Sequence, residues 1–260
     1  MHICRFTTTQ VSIPRFGVVK GDVVLTLPPG ELIDFSQTPL SDAPVAVSDV
    51  QFLAPVTPSK IVCVGRNYRE HAAELGNKMP EEPLLFLKAP SAIIGHGQFI
   101  ECPPDSQQVE HEGELGVVIG RQAHQLAAGE DPLAYVLGYT CINDVTARDL
   151  QRKDVQFTRA KSFDTFCPVG PAIVDKLDPL NVAVTTRLNG KIKQHARTAD
   201  MAFSVPFLIR YIARIMTLYP GDLIATGTPA GVSPMKDGDV VEVEVEGVGV
   251  LRNTVLRTPV

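Results

Sequence analysis

The chain has 260 residues, 44% of them hydrophobic and 20% charged, with a net charge of −5. That length buries a substantial core and allows one large domain or a main domain with an appendage. The acidic balance and the lack of a Lys/Arg-rich run speak against a nucleic-acid binder, and no stretch reaches the ~18 apolar residues of a membrane helix.

The first residues, MHICRFTTTQ, lack the charged and apolar regions of a signal peptide. Cys4, Cys63, Cys102, Cys141 and Cys167 are scattered, odd in number and contain no CxxC. They read as reduced, structural thiols of a cytoplasmic protein.

In chain order, RFGVVKGDVVLTL predicts two short strands around Lys20 and Gly21. Residues 38–60 are rich in Pro, Ser and Asp and read as a linker. This predicts a small N-terminal β unit at 1–56 and a mostly-β main domain at 57–260. YREHAAELG is a short helix stopped by Gly76, VEHEGELGVVIG a strand, and DVTARDLQRKD a second helix. TTRLNGKIKQH sets Asn189-Gly190 between strand-like flanks, a strong hairpin signal. SVPFLIRYIARIMTLYPG is the third helix, with Ser204 as cap, an apolar stripe of Leu208, Ile212 and Ile215, and Pro220-Gly221 as its end. DVVEVEVEGVGVLRNTVL is a last hairpin, turning near Glu246-Gly247. Strand spacing is too irregular for a βαβ repeat, and GTPAG at 227–231 lacks the Lys-Ser/Thr of a phosphate loop.

Two rows of alternating glutamates invite comparison. Glu242, Glu244 and Glu246 are backed by Val241, Val243 and Val245, the pattern of a half-buried strand with its acids in water. Glu110, Glu112 and Glu114 are backed by His111, Gly113 and Leu115, and the strand continues into GVVIG with apolar residues on both faces. Its inner end reads as entering the interior and partly desolvating Glu112 and Glu114, although on this segment alone an edge strand with a charged lip stands slightly ahead. Adjacent buried carboxylates must share a proton or hold a cation. Asp144, where VLGYTCIND meets a helical pattern, is either a helix cap or a third oxygen ligand beside them. An all-oxygen set suits Mg²⁺, Mn²⁺ or Ca²⁺ rather than zinc.

Other reactive candidates are sparse. His71 and Glu74 are spaced to share one helical face, where a carboxylate orients the imidazole as a base. The alternative is a polar surface helix. Lys161 lies among small and aromatic residues, although a lone lysine is usually solvated. Lys88 follows the apolar run LLFL, which would draw it inward toward an anion. Thr226 and Thr228 offer hydroxyl donors or are plain loop residues.

Seven segments in order, IVCVGRNYREHAAELG, EPLLFLKAPSAIIGHG, HEGELGVVIG, GYTCINDVTARDLQ, AKSFDTFCPVGPAIV, RLNGKIKQ and GDLIATGTPAGV, resemble the fumarylacetoacetate hydrolase family over roughly 60–232. The likeness is greatest to its single-chain acylpyruvate hydrolase and 2-hydroxyhepta-2,4-diene-1,7-dioate isomerase group. The resemblance implies a mixed, mostly β, β-roll catalytic fold and a homodimer. It places metal ligands on Glu112, Glu114 and Asp144, with Mg²⁺ first and Mn²⁺ or Ca²⁺ as alternatives. It also places a base dyad on His71 and Glu74, an oxyanion-stabilising lysine on Lys161, and substrate contacts on Lys88, Arg148, Gln151 and Thr228. Gly113 and Gly116 stand where relatives more often carry larger residues, a departure that would loosen the metal site. Glu110 is left as the solvent end of its row.

The activity so implied is C–C hydrolysis of acylpyruvate-type keto acids through a metal-stabilised enolate, with His71 activating water. The complete His–Glu dyad puts hydrolysis ahead of two neighbours, isomerisation or tautomerisation of 2-hydroxymuconate-type diacids and decarboxylation or tautomerisation of oxaloacetate. The partner is then a small α-keto acid or dicarboxylate. A non-catalytic metal-binding domain is the rival from another class.

Overall fold

The computed structural model describes residues 1–28 and 43–257. Short β-branched and aromatic runs punctuated by Gly and Pro make strand the commonest regular element of the described chain. The N-terminal part supplies β1 (His2–Thr8), β2 (Arg15–Lys20), β3 (Val23–Thr26), β4 (Pro44–Ala46) and β5 (Val50–Leu53). The last two lie in the stretch whose composition suggested a linker, of which residues 38–42 are outside the described residues. Next come β6 (Ile61–Gly65), α1 (Arg69–Glu74), β7 (Leu84–Lys88), β8 (Ile93–Ile94) and β9 (Phe99–Cys102). The middle of the chain holds β10 (Val109–Glu110), β11 (Gly113–Ile119), β12 (Val136–Asn143), β13 (Thr146–Ala147), α2 (Arg148–Lys153) and α3 (Thr158–Lys161). Last are β14 (Cys167–Val174), β15 (Ala183–Leu188), β16 (Lys191–Arg197), α4 (Val205–Ile215), β17 (Leu223–Ala225), β18 (Val240–Val245) and β19 (Gly249–Arg257).

Among the described residues the large sheet runs β4-β3-β2-β1-β14-β12-β11-β17-β6-β7, with β5 on β1 and β8 on β14. The N-terminal strands therefore extend the large sheet through the β1–β14 pair. A second sheet runs β16-β15-β18-β19-β9, and the side chains between the two sheets include Leu115, Val117, Val184, Val243 and Leu251. β11 lies between β12 and β17, buried at every position, as its two-faced apolar sequence requires.

The hairpins form where the turn residues predict. Asn189 and Gly190 both take left-handed φ, 52° and 75°, the geometry that an Asn-Gly turn supplies at least cost. β18 and β19 pair across Glu246-Gly247. Val241, Val243 and Val245 are buried there, while Glu242, Glu244 and Glu246 face Arg252, Arg187 and Arg197 at the surface.

The helices depart from expectation in detail. The buried face of α4 is Val205, Leu208, Ile209, Ile212 and Ala213, and Ile215 is exposed. α4 stops at Ile215, well before Pro220, and Ser204 sits at its N-cap without a side-chain cap bond. DVTARDLQRKD becomes helical only from Arg148, with Ala147 as cap, so Asp144 is not a helix cap. The one-turn helix α3 gave no periodic signal, being too short to show one. All five cysteines are free and buried. No described helix is long and apolar enough to cross a membrane.

Candidate active site

β11 and β12 run antiparallel with Gly113 opposite Asn143, which brings the residues just outside both strand ends together. The N–H of Asp144 donates to Glu112 O at 2.8 Å, and Asn143 Oδ1 accepts the N–H of Glu112 at 2.9 Å. Glu112, Glu114 and Asp144 each offer a carboxylate oxygen within 4.8 Å of the others, and all three are buried.

Two lysines close on this group. Lys161, at the end of α3, donates to Glu112 Oε2 and Asp144 Oδ2, both at 2.7 Å. Lys88, at the end of β7, donates to Asp144 Oδ1 at 2.6 Å and to Val145 O at 3.1 Å. The inward pull of LLFL on Lys88 thus ends on an anion. Lys161 Nζ also lies 5.0 Å from the centre of the Phe86 ring.

Glu110 corrects the sequence reading. It is 5% exposed rather than at a solvent edge, and its Oε2 accepts from Arg148 Nε at 2.8 Å. The same guanidinium pairs with Glu112 and donates to Gln151 Oε1 at 2.5 Å. The row is also not one strand, since pairing stops between β10 and β11 at residues 111 and 112. His111 there is fully buried, facing Gln194 Oε1 at 3.1 Å and Ser233 Oγ at 2.9 Å.

Charge balance is then uneven. Glu110, Glu112, Glu114 and Asp144 are four buried carboxylates against three buried cations, Lys88, Arg148 and Lys161. Burial opposes ionisation of Glu112, but Lys161 and Arg148 outweigh it and hold the carboxyl well below the usual range. Glu114 has no ion pair among the described residues and accepts the Gly227 N–H at 2.8 Å. Burial, followed by Asp144 and Glu112, pushes its carboxyl well above the usual range. Burial also disfavours the Lys161 ammonium, but Asp144 and Glu112 raise its pKa overall. A buried all-oxygen set with one carboxylate uncompensated fits a hard divalent cation.

His71 and Glu74 sit on α1 across the same cavity, with His71 Nδ1 3.3 Å from Glu74 Oε2. Glu74 is fixed in turn by the Gly231 N–H, at 3.0 and 3.1 Å from its two oxygens. The cavity holds about 500 Å³ and is also lined by Arg66, Leu84, Phe86, Arg148, Gln151, Lys161 and Thr228. Lys88 is not on its wall and lies behind Asp144. Thr228 Oγ1 donates to Gly113 O at 2.9 Å and accepts from Gln194 Nε2 at 2.7 Å.

Gly113 and Gly116 do not loosen the site, because no space is left beside them. A Cβ on Gly113 would lie 2.0 Å from Thr186 Oγ1, and one on Gly116 would lie 2.6 Å from Ile142 Cδ1. Gly113→Ala is expected to cost about 1–3 kcal/mol of stability by overpacking. Thr186 Oγ1 is buried with no hydrogen-bond partner, so adding Thr186→Ala removes the collision without orphaning a donor. Denaturant titration should show the pair recovering more than half of the loss. A double variant as unstable as Gly113→Ala alone would mean the glycine serves something other than space.

The mostly-β fold carries a buried carboxylate triad, able to hold a metal ion, on the wall of a cavity that Arg66, Arg148, Arg152 and Lys161 also line. The chain belongs to the fumarylacetoacetate hydrolase family: the profile described as fumarylacetoacetate (FAA) hydrolase C-terminal matches residues 60–256. A second, described as Rv2993c-like, N-terminal, matches residues 1–55. A mitochondrial oxaloacetate tautomerase of Bos taurus is 46% identical over 80% of this chain and 70% of its own length. The crystal structure of 2-hydroxyhepta-2,4-diene-1,7-dioate isomerase from Mycobacterium marinum is 39% identical, superposes with a TM-score of 0.89 and is covered in full, as is this chain. Maleylpyruvate hydrolase from Sphingobium sp. SYK-6, solved with manganese(II) and pyruvate, is 30% identical with a TM-score of 0.82, again over the whole of both chains. The chain is an enzyme of this superfamily, whose members include tautomerases, isomerases and hydrolases.

Proposed function

We propose that the chain is a divalent-metal-dependent tautomerase of a small α-keto diacid of the oxaloacetate type. The observation that ranks this reading first is the 46% identity to an oxaloacetate tautomerase. The His71–Glu74 pair, on the wall of the cavity that holds the three carboxylates, supplies a proton carrier that tautomerisation and hydrolysis would both use. Glu112, Glu114 and Asp144 would hold a cation such as Mg²⁺ or Mn²⁺, which would supply Lewis-acid charge at the keto-acid end of the substrate. His71 is the proton carrier: it removes the enol O–H proton and delivers a proton to C3, or runs the reverse. Glu74, anchored by Gly231, orients the imidazole. Lys161, locked between Glu112 and Asp144, supports the negative charge that builds on the keto oxygen. The 46% identity to an oxaloacetate tautomerase supports this order of reactions.

Hydrolysis of an acylpyruvate is the second reading. A cavity of about 500 Å³ has room for a longer acyl chain and a water that His71 would deprotonate.

The deciding assay follows enol absorbance as freshly dissolved oxaloacetate converts to the keto form, with Mn²⁺ or Mg²⁺ and then with EDTA. Pyruvate release from oxaloacetate, acetylpyruvate and fumarylpyruvate is measured alongside. The expected result is metal-dependent loss of enol faster than any pyruvate release. Faster cleavage of acetylpyruvate or fumarylpyruvate would replace tautomerisation with hydrolysis. No turnover of any substrate, with or without metal, would leave a non-catalytic metal-binding protein.

A further inference from the structure

Arg66 stands apart from the other cations of the cavity. Lys161 and Arg148 are committed to carboxylates, and Arg152 donates to Gln108 Oε1 at 2.5 Å. Among the described residues Arg66 has neither an ion pair nor a side-chain hydrogen bond, yet it lines the same cavity as the carboxylate triad. Its backbone is the second unusual feature. At φ 59° it occupies the left-handed region that residues with a Cβ seldom adopt.

The next residue explains how that conformation persists. Asn67 is fully buried, and its Nδ2 donates to Thr226 O at 2.7 Å and to Phe203 O at 3.0 Å. Its Oδ1 accepts the Phe203 N–H at 2.8 Å, and its carbonyl accepts the Ala202 N–H at 2.8 Å. Gly227 packs against it so closely that a Cβ there would lie 2.6 Å from Asn67 Cβ. The backbone leaving β6 is thus clamped from two sides one residue after Arg66. Strain held by surrounding structure at a cavity wall is characteristic of a positioned functional group.

We infer that Arg66 receives the distal carboxylate of the substrate and makes the site selective for dicarboxylates over monocarboxylates. This rests on the tautomerase reading for the substrate's other end. The carboxylate triad and its lysines account for the keto-acid end, and a second carboxylate needs a further, uncommitted cation. A guanidinium matches a carboxylate in two parallel hydrogen bonds, which a lysine cannot reproduce.

The test compares wild type, Arg66→Gln and Arg66→Lys with Mn²⁺ present. Gln keeps a Cβ at the same φ, so the backbone cost is unchanged. Two reactions are measured: oxaloacetate tautomerisation, and exchange of the pyruvate methyl protons for deuterium by NMR, which needs no distal carboxylate. Arg66→Gln is expected to lower kcat/KM for oxaloacetate by roughly 10- to 100-fold while pyruvate exchange changes by less than about 3-fold. Arg66→Lys is expected to fall between. Equal losses on both substrates, or none on either, would overturn the assignment. Should wild type turn over neither, calorimetric titration with the two acids reads the same selectivity. A wild-type preference for oxaloacetate that vanishes in Arg66→Gln upholds the Arg66 role although tautomerisation has failed. No such preference overturns it.

Discussion

Replacing His71 with alanine is expected to lower turnover by roughly 10²- to 10⁴-fold, the usual contribution of a positioned general base or acid. Its imidazole is only 6% exposed and is held by Glu74, which is itself tied to the Gly231 backbone. None of those contacts involves Glu112, Glu114 or Asp144. Mn²⁺ affinity measured by calorimetry should therefore stay within about 3-fold of wild type. A structural role would also reduce turnover, so a second readout separates the two. Added imidazole enters the space vacated in His71→Ala and should restore part of the rate. A variant that binds metal and turns over at the normal rate would remove His71 from the chemistry. One that loses metal binding in parallel would make it a support of the carboxylates instead.

The largest stability effect is expected at Arg148. Its guanidinium, 3% exposed as a residue, neutralises both Glu110 and Glu112, and its pKa is raised because these pairs outweigh the burial that opposes its charge. Arg148→Met leaves Glu110 buried without a cation, while Glu112 keeps Lys161. Breaking a buried pair from one side costs about 3–5 kcal/mol. At this chain length that is about 10 °C of melting temperature. Glu110→Gln on the Arg148→Met background removes the stranded charge, and the double variant should be more stable than Arg148→Met. If the two losses simply add, the ion pair contributes nothing and the arginine acts by packing alone.

The sequence carried the local signals of this fold well. Asn189-Gly190 dictates a left-handed two-residue turn, and the valines behind Glu242–Glu246 allow only a half-buried strand. GVVIG, apolar on both faces, sends β11 to the middle of a sheet. The triad itself was legible only in part. Two of its members share one segment, but nothing local shows that Asn143 lies opposite Gly113, because that register is set by pairing across a long connection. Glu110 was misplaced for the same reason: a carboxylate's burial depends on its partner, and Arg148 is 38 residues away. The face of α4 was misread at Ile215 because packing below the helix, rather than its sequence period, decides where the stripe ends. Gly113 looked flexible because a glycine shows no trace of the neighbour that fills its space, here Thr186.

The division of labour around the cavity bears on how such enzymes diversify. The carboxylates and their lysines come from β7, β11, the end of β12 and α3, and these groups are held by one another in the sheet's interior. Arg66, Leu75 and Leu84 also line the cavity and form none of those ion pairs. If Arg66 receives the distal carboxylate as inferred, substitutions at these three positions should alter which acid is accepted while leaving the ion pairs of the charge network in place.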